Sequence, residues 1–334
     1  MVPLSVLDLA PVSPGASPRE AIRDAVALAQ RCDSLGYKRY WFAEHHSMPT
    51  IATSAPEVLV AHVAAVTTRI RVGTGGIMLP NHNPLRLVEI FRTLEALHPG
   101  RIDFGVGRAP GTDPVTASAL QGGIQKNPNA HLIELLAFEN SNFPEDHPFR
   151  SIVPMPSDVR LPPVWMLGST MAGAGIAASL GLQYAFAGHF AMRDAHEALS
   201  VYRSQFQRGK DGPDARAILA VTVICGEDTE HAEDLMLPLK LAIVRSRMGQ
   251  RIQVSSLEEA LTYHFSAEEE RMSAQFFEGA LIGGPDQVRS GLTRLVNDYE
   301  PDELMVAAFL PDRGERLRAF ERIAMVGRLG MNEN

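Results

Sequence analysis

The residues of this chain best suited to chemistry stand just past short apolar runs. Glu44-His45-His46 follows the run KRYWFA at 38–43. Histidine titrates near neutral pH, so a His at the lip of a pocket can take or give a proton. Side chains alternate along a strand, and His45 shares parity with Trp41 and Ala43, His46 with Phe42 and Glu44. One ring is therefore expected to enter a site and the other to brace the loop. A metal held by both is not expected, since no carboxylate or cysteine stands at ligand spacing to complete it.

Further short runs share this setting. Gly75-Gly76 lies inside VGTGGIML, where a strand glycine signals a bulge or the close approach of a ligand or of backbone. The stretch 105–111, GVGRAPG, invites a dinucleotide-loop reading but fails it. Its third glycine is displaced, and Pro110 and Asp113-Pro114 open a loop rather than a helix. Arg108 reads better as a clamp for phosphate or carboxylate, with an ordinary ion pair as the plain alternative. Gly168-Ser169-Thr170 leads into a small-residue helix, whose N-terminus can bind an anion or be simply capped. Asp8 and Ala10, Gly107, and Gly188-His189 complete the set, each polar or small at a strand end. Gly283-Gly284-Pro285-Asp286 could likewise bind an anion, but a proline there is an ordinary helix start signal. No Ser-His-Asp set, P-loop or carboxylate pair emerges.

The elements that must position these residues alternate. Strands are expected at 4–9, 38–43, 71–78, 101–107, 163–167, 184–187, 217–225 and 303–309. Helices are expected at 18–35, 54–68, 84–97, 170–180, 192–207, 229–248, 286–296 and 314–328. Near-continuous apolar strands alternating with helices mean a parallel sheet covered on both faces, and eight units favour closure. The reading is a (β/α)8 TIM barrel with insertions, a single domain over 1–334, whose active site lies at the C-terminal strand ends. The rhythm breaks at 108–160, with seven prolines, turns at Gly111 and Gly122-Gly123 and a helix near 129–140. It breaks again at 249–279, a polar, helix-bearing stretch.

Composition bounds the function. The chain has 334 residues, 45% hydrophobic and 21% charged, with a formal net charge of −8. That balance offers no basic surface for nucleic acid or an anionic membrane. No run of about 18 apolar residues spans a bilayer, and no basic start precedes an apolar segment, so a cytoplasmic protein is expected. Cys32 and Cys225 form no disulfide or zinc pattern and read as core residues.

YWFAEHH at 40–46, RVGTGGIMLPNHNPLRLVE at 71–89, GRIDFGVGRAPGTD at 100–113 and PVWMLGST at 163–170 together resemble the bacterial luciferase-like flavin-dependent monooxygenases. The nearer resemblance is to alkanal monooxygenase-like members, and it extends to IGGPDQV and DELMV near the C-terminus. It implies the same barrel with FMN at the rim. It also implies a catalytic histidine at His45, a non-prolyl cis peptide at Gly75-Gly76, and phosphate contacts from Arg108 and Ser169 with the Thr170 backbone beside them. Gly107 stands where the light-emitting enzymes carry a reactive cysteine, and Gly168 where they carry a glutamate, so any contact at Gly168 comes from main chain. The segment 249–279 falls where that family has a lid, and 108–160 is expected to wall a distinct substrate pocket.

The expected function follows from that resemblance. It is a monooxygenase that receives FMNH2 from a separate flavin reductase and oxidises a small-molecule organic substrate with O2, His45 acting as acid/base. A homodimer packed through barrel helices is implied. The alternatives are an oxidoreductase using the deazaflavin F420, which transfers hydride without O2, and a flavin-binding protein without catalysis. From pattern alone, a phosphate-binding aldolase or isomerase barrel is also open, but it wants a rim Lys or Glu that finds no convincing place.

Overall fold

The computed structural model describes residues 1–120, 127, 129–209, 213–249 and 254–328. Its strands are β1 (Leu4–Asp8), β2 (Arg39–Phe42), β3 (Arg71–Thr74), β4 (Ile77–Met78), β5 (Ile102–Gly107), β6 (Val164–Gly168), β7 (Gln183–Ala187), β8 (Ala217–Cys225), β9 (Leu281–Gly283) and β10 (Glu303–Ala307). The parallel order β10-β1-β2-β3-β5-β6-β7-β8 closes through the pairing of β10 with β8. This is the (β/α)8 barrel read from the alternation.

Three features depart from that reading. The strand expected over 71–78 is broken: β3 stops at Thr74, a cis Gly75-Gly76 bond follows, and β4 resumes beside β5. A short β9 extends the edge of β8, in a stretch where the sequence predicts no strand. The excursion 108–160 holds two helices, Pro114–Ala119 and Ala130–Asn140, rather than one. The expected Gly122-Gly123 turn lies outside the described residues.

Local chemistry sets the helices. The helix Pro18–Leu35 starts with a reciprocal capping box between Ser17 and Glu20 and ends at Gly36, whose φ of 89° is left-handed. Such a cap is worth about 1 kcal/mol, and the left-handed end suits glycine. Its stripe Ala21, Ala25, Leu28, Ala29 and Cys32 packs on the barrel. Cys32 and Cys225 are both buried and unbonded to each other.

Strand parity organises the barrel interior into layers. On β2 the inward line runs Arg39, Trp41, Ala43 and then His45. At the floor, Arg39 Nη1 meets the Asp103 carboxylate at 2.8 Å and its Nε meets Glu303 at 2.9 Å, while Arg71 also binds Asp103. Above them Trp41 and Trp165 pack edge to face, their ring centroids 5.5 Å apart. The next layer shrinks to Ala43, Gly75, Gly107 and Ala187, with Leu7, Leu9 and Leu167 around them. Charge and indole therefore plug the bottom, and small side chains leave the top hollow.

Candidate active site

That hollow is a cavity of about 270 Å³, lined by residues from β1, β2, β5, β6 and β7 and the loops after them. It contains His45, Gly75, Arg108, Gly168, Ser169, Thr170 and His189 among mostly apolar walls. Of the expected site residues, Gly76 is not in the wall. A Cβ there would stand 2.8 Å from the Gly105 carbonyl carbon, so its smallness serves β5 packing. Gly75 does border the cavity, and a Cβ on it would press on Leu7 at 2.7 Å.

His45 and His46 part company as their parity requires. His45 enters the cavity, and its Nδ1 donates to the Gly111 carbonyl at 3.2 Å. Burial pushes its pKa below the usual 6.5, against the pull of the Gly111 carbonyl and Glu44. His46 turns back to Glu44, its Nε2 2.8 Å from the carboxylate. Glu44 is a hub the sequence did not announce. It is fully buried and also takes hydrogen bonds from His82, from Asn81 Nδ2 at 3.1 Å and from the Met78 amide at 2.8 Å. Despite burial, which raises it, these donors hold the Glu44 carboxyl below its ordinary range, His82 foremost. Glu44 thus ties the end of β2 to β4 and to the turn that follows it, which fixes His45 from behind.

The opposite end is built for an anion. Thr170 caps the helix Met171–Ser179, its Oγ1 accepting from the Gly173 amide at 3.2 Å. The Met171 and Ala172 amides lie in the first turn, where a helix supplies no acceptor. The Arg108 guanidinium lies over this turn, so close that a Cβ on Gly173 would be 3.1 Å from Nη2. Its Nη1 donates to Asn129 Oδ1 at 3.1 Å, and among the described residues no carboxylate forms an ion pair with it. The ordinary ion pair is thus not what holds Arg108. A half-buried cation without a counterion, set on a helix N-terminus, suits a phosphate. Gly168 keeps the floor here low, since a Cβ would come 3.2 Å from the Tyr184 hydroxyl.

Asp8 is withdrawn from the candidates: it is buried and held by Arg316, Tyr40 and the Ala10 amide as a brace between β1 and the last helix. Among the described residues, no group of three or more His, Cys, Asp or Glu is set to hold a metal ion. The described part of 249–279 forms the helices Leu257–Thr262 and Ala267–Ala274 against the helix Thr229–Arg247, and none of it lines the cavity.

The luciferase-like monooxygenase family model matches residues 2–299. The chain belongs to this family. A luciferase-like monooxygenase of Escherichia coli strain K12 is 38% identical, the match covering 96% of this chain and 95% of that protein. An N-acetyl-S-alkylcysteine monooxygenase of Bacillus subtilis strain 168 is 32% identical over 97% and 98% of the two. The crystal structure of apo-MsnO8 superposes with a TM-score of 0.87 at 33% identity, covering 98% of each chain. The fold is shared more distantly with the FMN complex of the oxygenating constituent of 3,6-diketocamphane monooxygenase from Pseudomonas putida, with a TM-score of 0.71 at 19% identity. That match covers 97% of this chain and 96% of the other. It is also shared with an F420-dependent tetrahydromethanopterin reductase from Methanopyrus kandleri, with a TM-score of 0.65 at 14% identity. That match covers 98% of this chain and 99% of the other. As a luciferase-like monooxygenase, the chain contains among its described residues no helix long and apolar enough to cross a membrane.

Proposed function

We propose that the protein binds FMN in this cavity and, supplied with FMNH2 by a separate reductase, inserts one oxygen atom of O2 into a small apolar organic substrate. The observation that carries this reading is Arg108: a cation with no carboxylate partner among the described residues, seated on a helix N-terminus at one end of an apolar cavity whose wall holds the half-buried His45. Arg108, Thr170 and the Met171–Ser179 helix terminus would hold the phosphate, with Ser169 beside them. Gly75 and Gly168 would let a flat ring system lie close to the barrel wall. Bound reduced flavin supplies the two electrons that activate O2.

The protein's own residues do the rest. Leu7, Leu9, Ala43, Met78, Leu167 and Phe190 exclude water and receive the apolar part of the substrate. His45 Nε2, left basic because Nδ1 is committed to Gly111, takes a proton at the cavity wall and returns it to the product side. The S-alkyl substrate named for the Bacillus subtilis relative makes a thioether one fitting class. Exposed Val58 on the helix Pro56–Val66 and Leu97 on the helix Pro84–Leu97 are apolar surface suited to pairing of two copies through the barrel helices.

The shared barrel of the F420 enzyme supports a second reading, hydride transfer without O2. Titration with FMN and with F420 under a visible spectrometer separates the two. FMN binding followed by oxygenation of a thioether or aldehyde with FMNH2 supports the monooxygenase. Selective F420 binding would overturn it, and retained flavin without turnover would leave a flavin-binding protein.

A further inference from the structure

His189 follows β7 and lines the cavity, and the reaction outlined above gives it no task. It is 8% exposed, and its Nδ1 is buried with no hydrogen-bond partner. A buried ring nitrogen left unpaired is costly, and a modest turn of the imidazole toward the cavity it lines would let a ligand complete it. The backbone that carries it is fixed: a Cβ on the preceding Gly188 would meet the Ala220 carbonyl oxygen of β8 at 2.7 Å. The exposed ring of Phe190 lies beside it, the two ring centroids 4.1 Å apart.

Topology gives His189 its direction. Around the closed sheet, β2 and β7 are four strands apart in either sense, so His45 and His189 face each other across the barrel mouth. Between them on one side come β5 and β6, which carry Arg108 and Thr170. A ligand whose phosphate sits at that anion end must extend its ring system between the two imidazoles. The other polar side chains of the wall, Arg108, Ser169 and Thr170, cluster at the phosphate. A flavin's ring has one apolar benzenoid edge, matched by the leucines and methionine. Its pyrimidine edge alternates carbonyl and N–H groups and needs a polar partner.

Resting on the flavin reading above, we propose that His189 is a second ligand-contacting residue, whose imidazole hydrogen-bonds the pyrimidine edge of the bound ring through Nδ1, opposite His45. Neutral imidazole suits that edge because each ring nitrogen is a donor or an acceptor according to the tautomer. Burial, aided by the nearby His45 and opposed by the Ala220 backbone, pushes the His189 pKa down to about 4, so the ring carries no charge over the ordinary working range.

The test is fluorescence titration of the full chain with FMN and with riboflavin, which lacks the phosphate. The proteins compared are wild type, His189→Phe, which keeps the ring shape, and His189→Asn, which keeps a polar group near Nδ1. His189→Phe is expected to weaken FMN and riboflavin alike, by roughly tenfold, and to shift the visible band of the bound flavin, with His189→Asn within about threefold of wild type. An Arg108 variant should instead lose FMN selectively. Wild-type affinity and an unchanged spectrum in His189→Phe would overturn the proposal while leaving the flavin reading intact. A wild-type protein that binds neither flavin would overturn both. If His189→Phe does not fold, His189→Leu is titrated in its place with the same expectations.

Discussion

His45 Nδ1 lies 3.2 Å from the carbonyl oxygen of Gly111. A carbonyl only accepts, so Nδ1 carries the proton and Nε2 is the basic nitrogen. Burial holds the ring's pKa below 6.5, so the basic form dominates at neutral pH. Oxygenation should therefore rise with pH through a pKa below 6.5 and stay level above it. His45→Ala should lose about 10²- to 10⁴-fold in turnover with supplied FMNH2. Undiminished turnover in His45→Ala would remove His45 from the mechanism.

Glu44 and His82 give stability its own pH signature. Burial pulls the His82 pKa down, but the hydrogen bond and charge of Glu44 outweigh it and raise it above 6.5. Stability from protonated His82 is thus complete below 6.5 and is lost as pH rises through the raised value. Glu44 is lowered from 4.5, so its share is present above 4.5 and is lost as pH falls through the lower value. The pair contributes most between those limits, against the tendency of half-buried His45 to destabilise in acid. His82→Gln should lower Tm near pH 6 by about 1–2 °C, for roughly 1 kcal/mol, and by less near pH 8.5. An equal loss at both pH values would mean that the charge is irrelevant.

Arg108 is expected to select for the phosphate. Charge-assisted contacts are worth about 1.5–3 kcal/mol, so Arg108→Ala should raise the FMN Kd by roughly 10- to 100-fold and leave riboflavin almost unchanged. Lysine keeps charge without the planar fork and should recover only part of the affinity. Equal loss for both flavins in isothermal titration would place the phosphate elsewhere.

The fold was legible because eight apolar runs, such as AILAVTVIC at 217–225, alternate with helical spacing, and few architectures use that rhythm. Parity along β2 sufficed to separate His45 from His46. What stayed hidden depended on contacts distant in sequence. Glu44 meets His82 and Asn81 across 38 and 37 positions, and Asp8 meets Arg316 across 308. Nothing local distinguishes a rim carboxylate that clamps a helix from one that faces a ligand. The sequence leaves open whether Gly76 marks a ligand or close backbone; in the barrel it, like Gly105, lets strand backbones touch, and a Cβ on Gly105 would overlap the Thr74 carbonyl oxygen.

The barrel floor supplies the last prediction. Arg39 is almost wholly buried and bridges Asp103 and Glu303, and Ser5 also hydrogen-bonds Glu303. Removing one partner of a buried ion pair leaves an uncompensated charge, at a cost of about 3–5 kcal/mol. Asp103 would keep Arg71 at 2.7 Å, so the burden of Arg39→Met falls on Glu303. Burial already raises the Glu303 pKa above 4.5 even with Arg39 beside it. Without Arg39 it should rise further, and folding would then take up a proton. A raised carboxyl pKa favours the folded state at low pH, so the Arg39→Met deficit should be smaller at pH 5.5 than at pH 8. Adding Glu303→Gln should recover part of it at pH 8 and little at pH 5.5. Urea unfolding of the three proteins at both pH values measures this, and a deficit independent of pH would show that the loss is packing rather than charge.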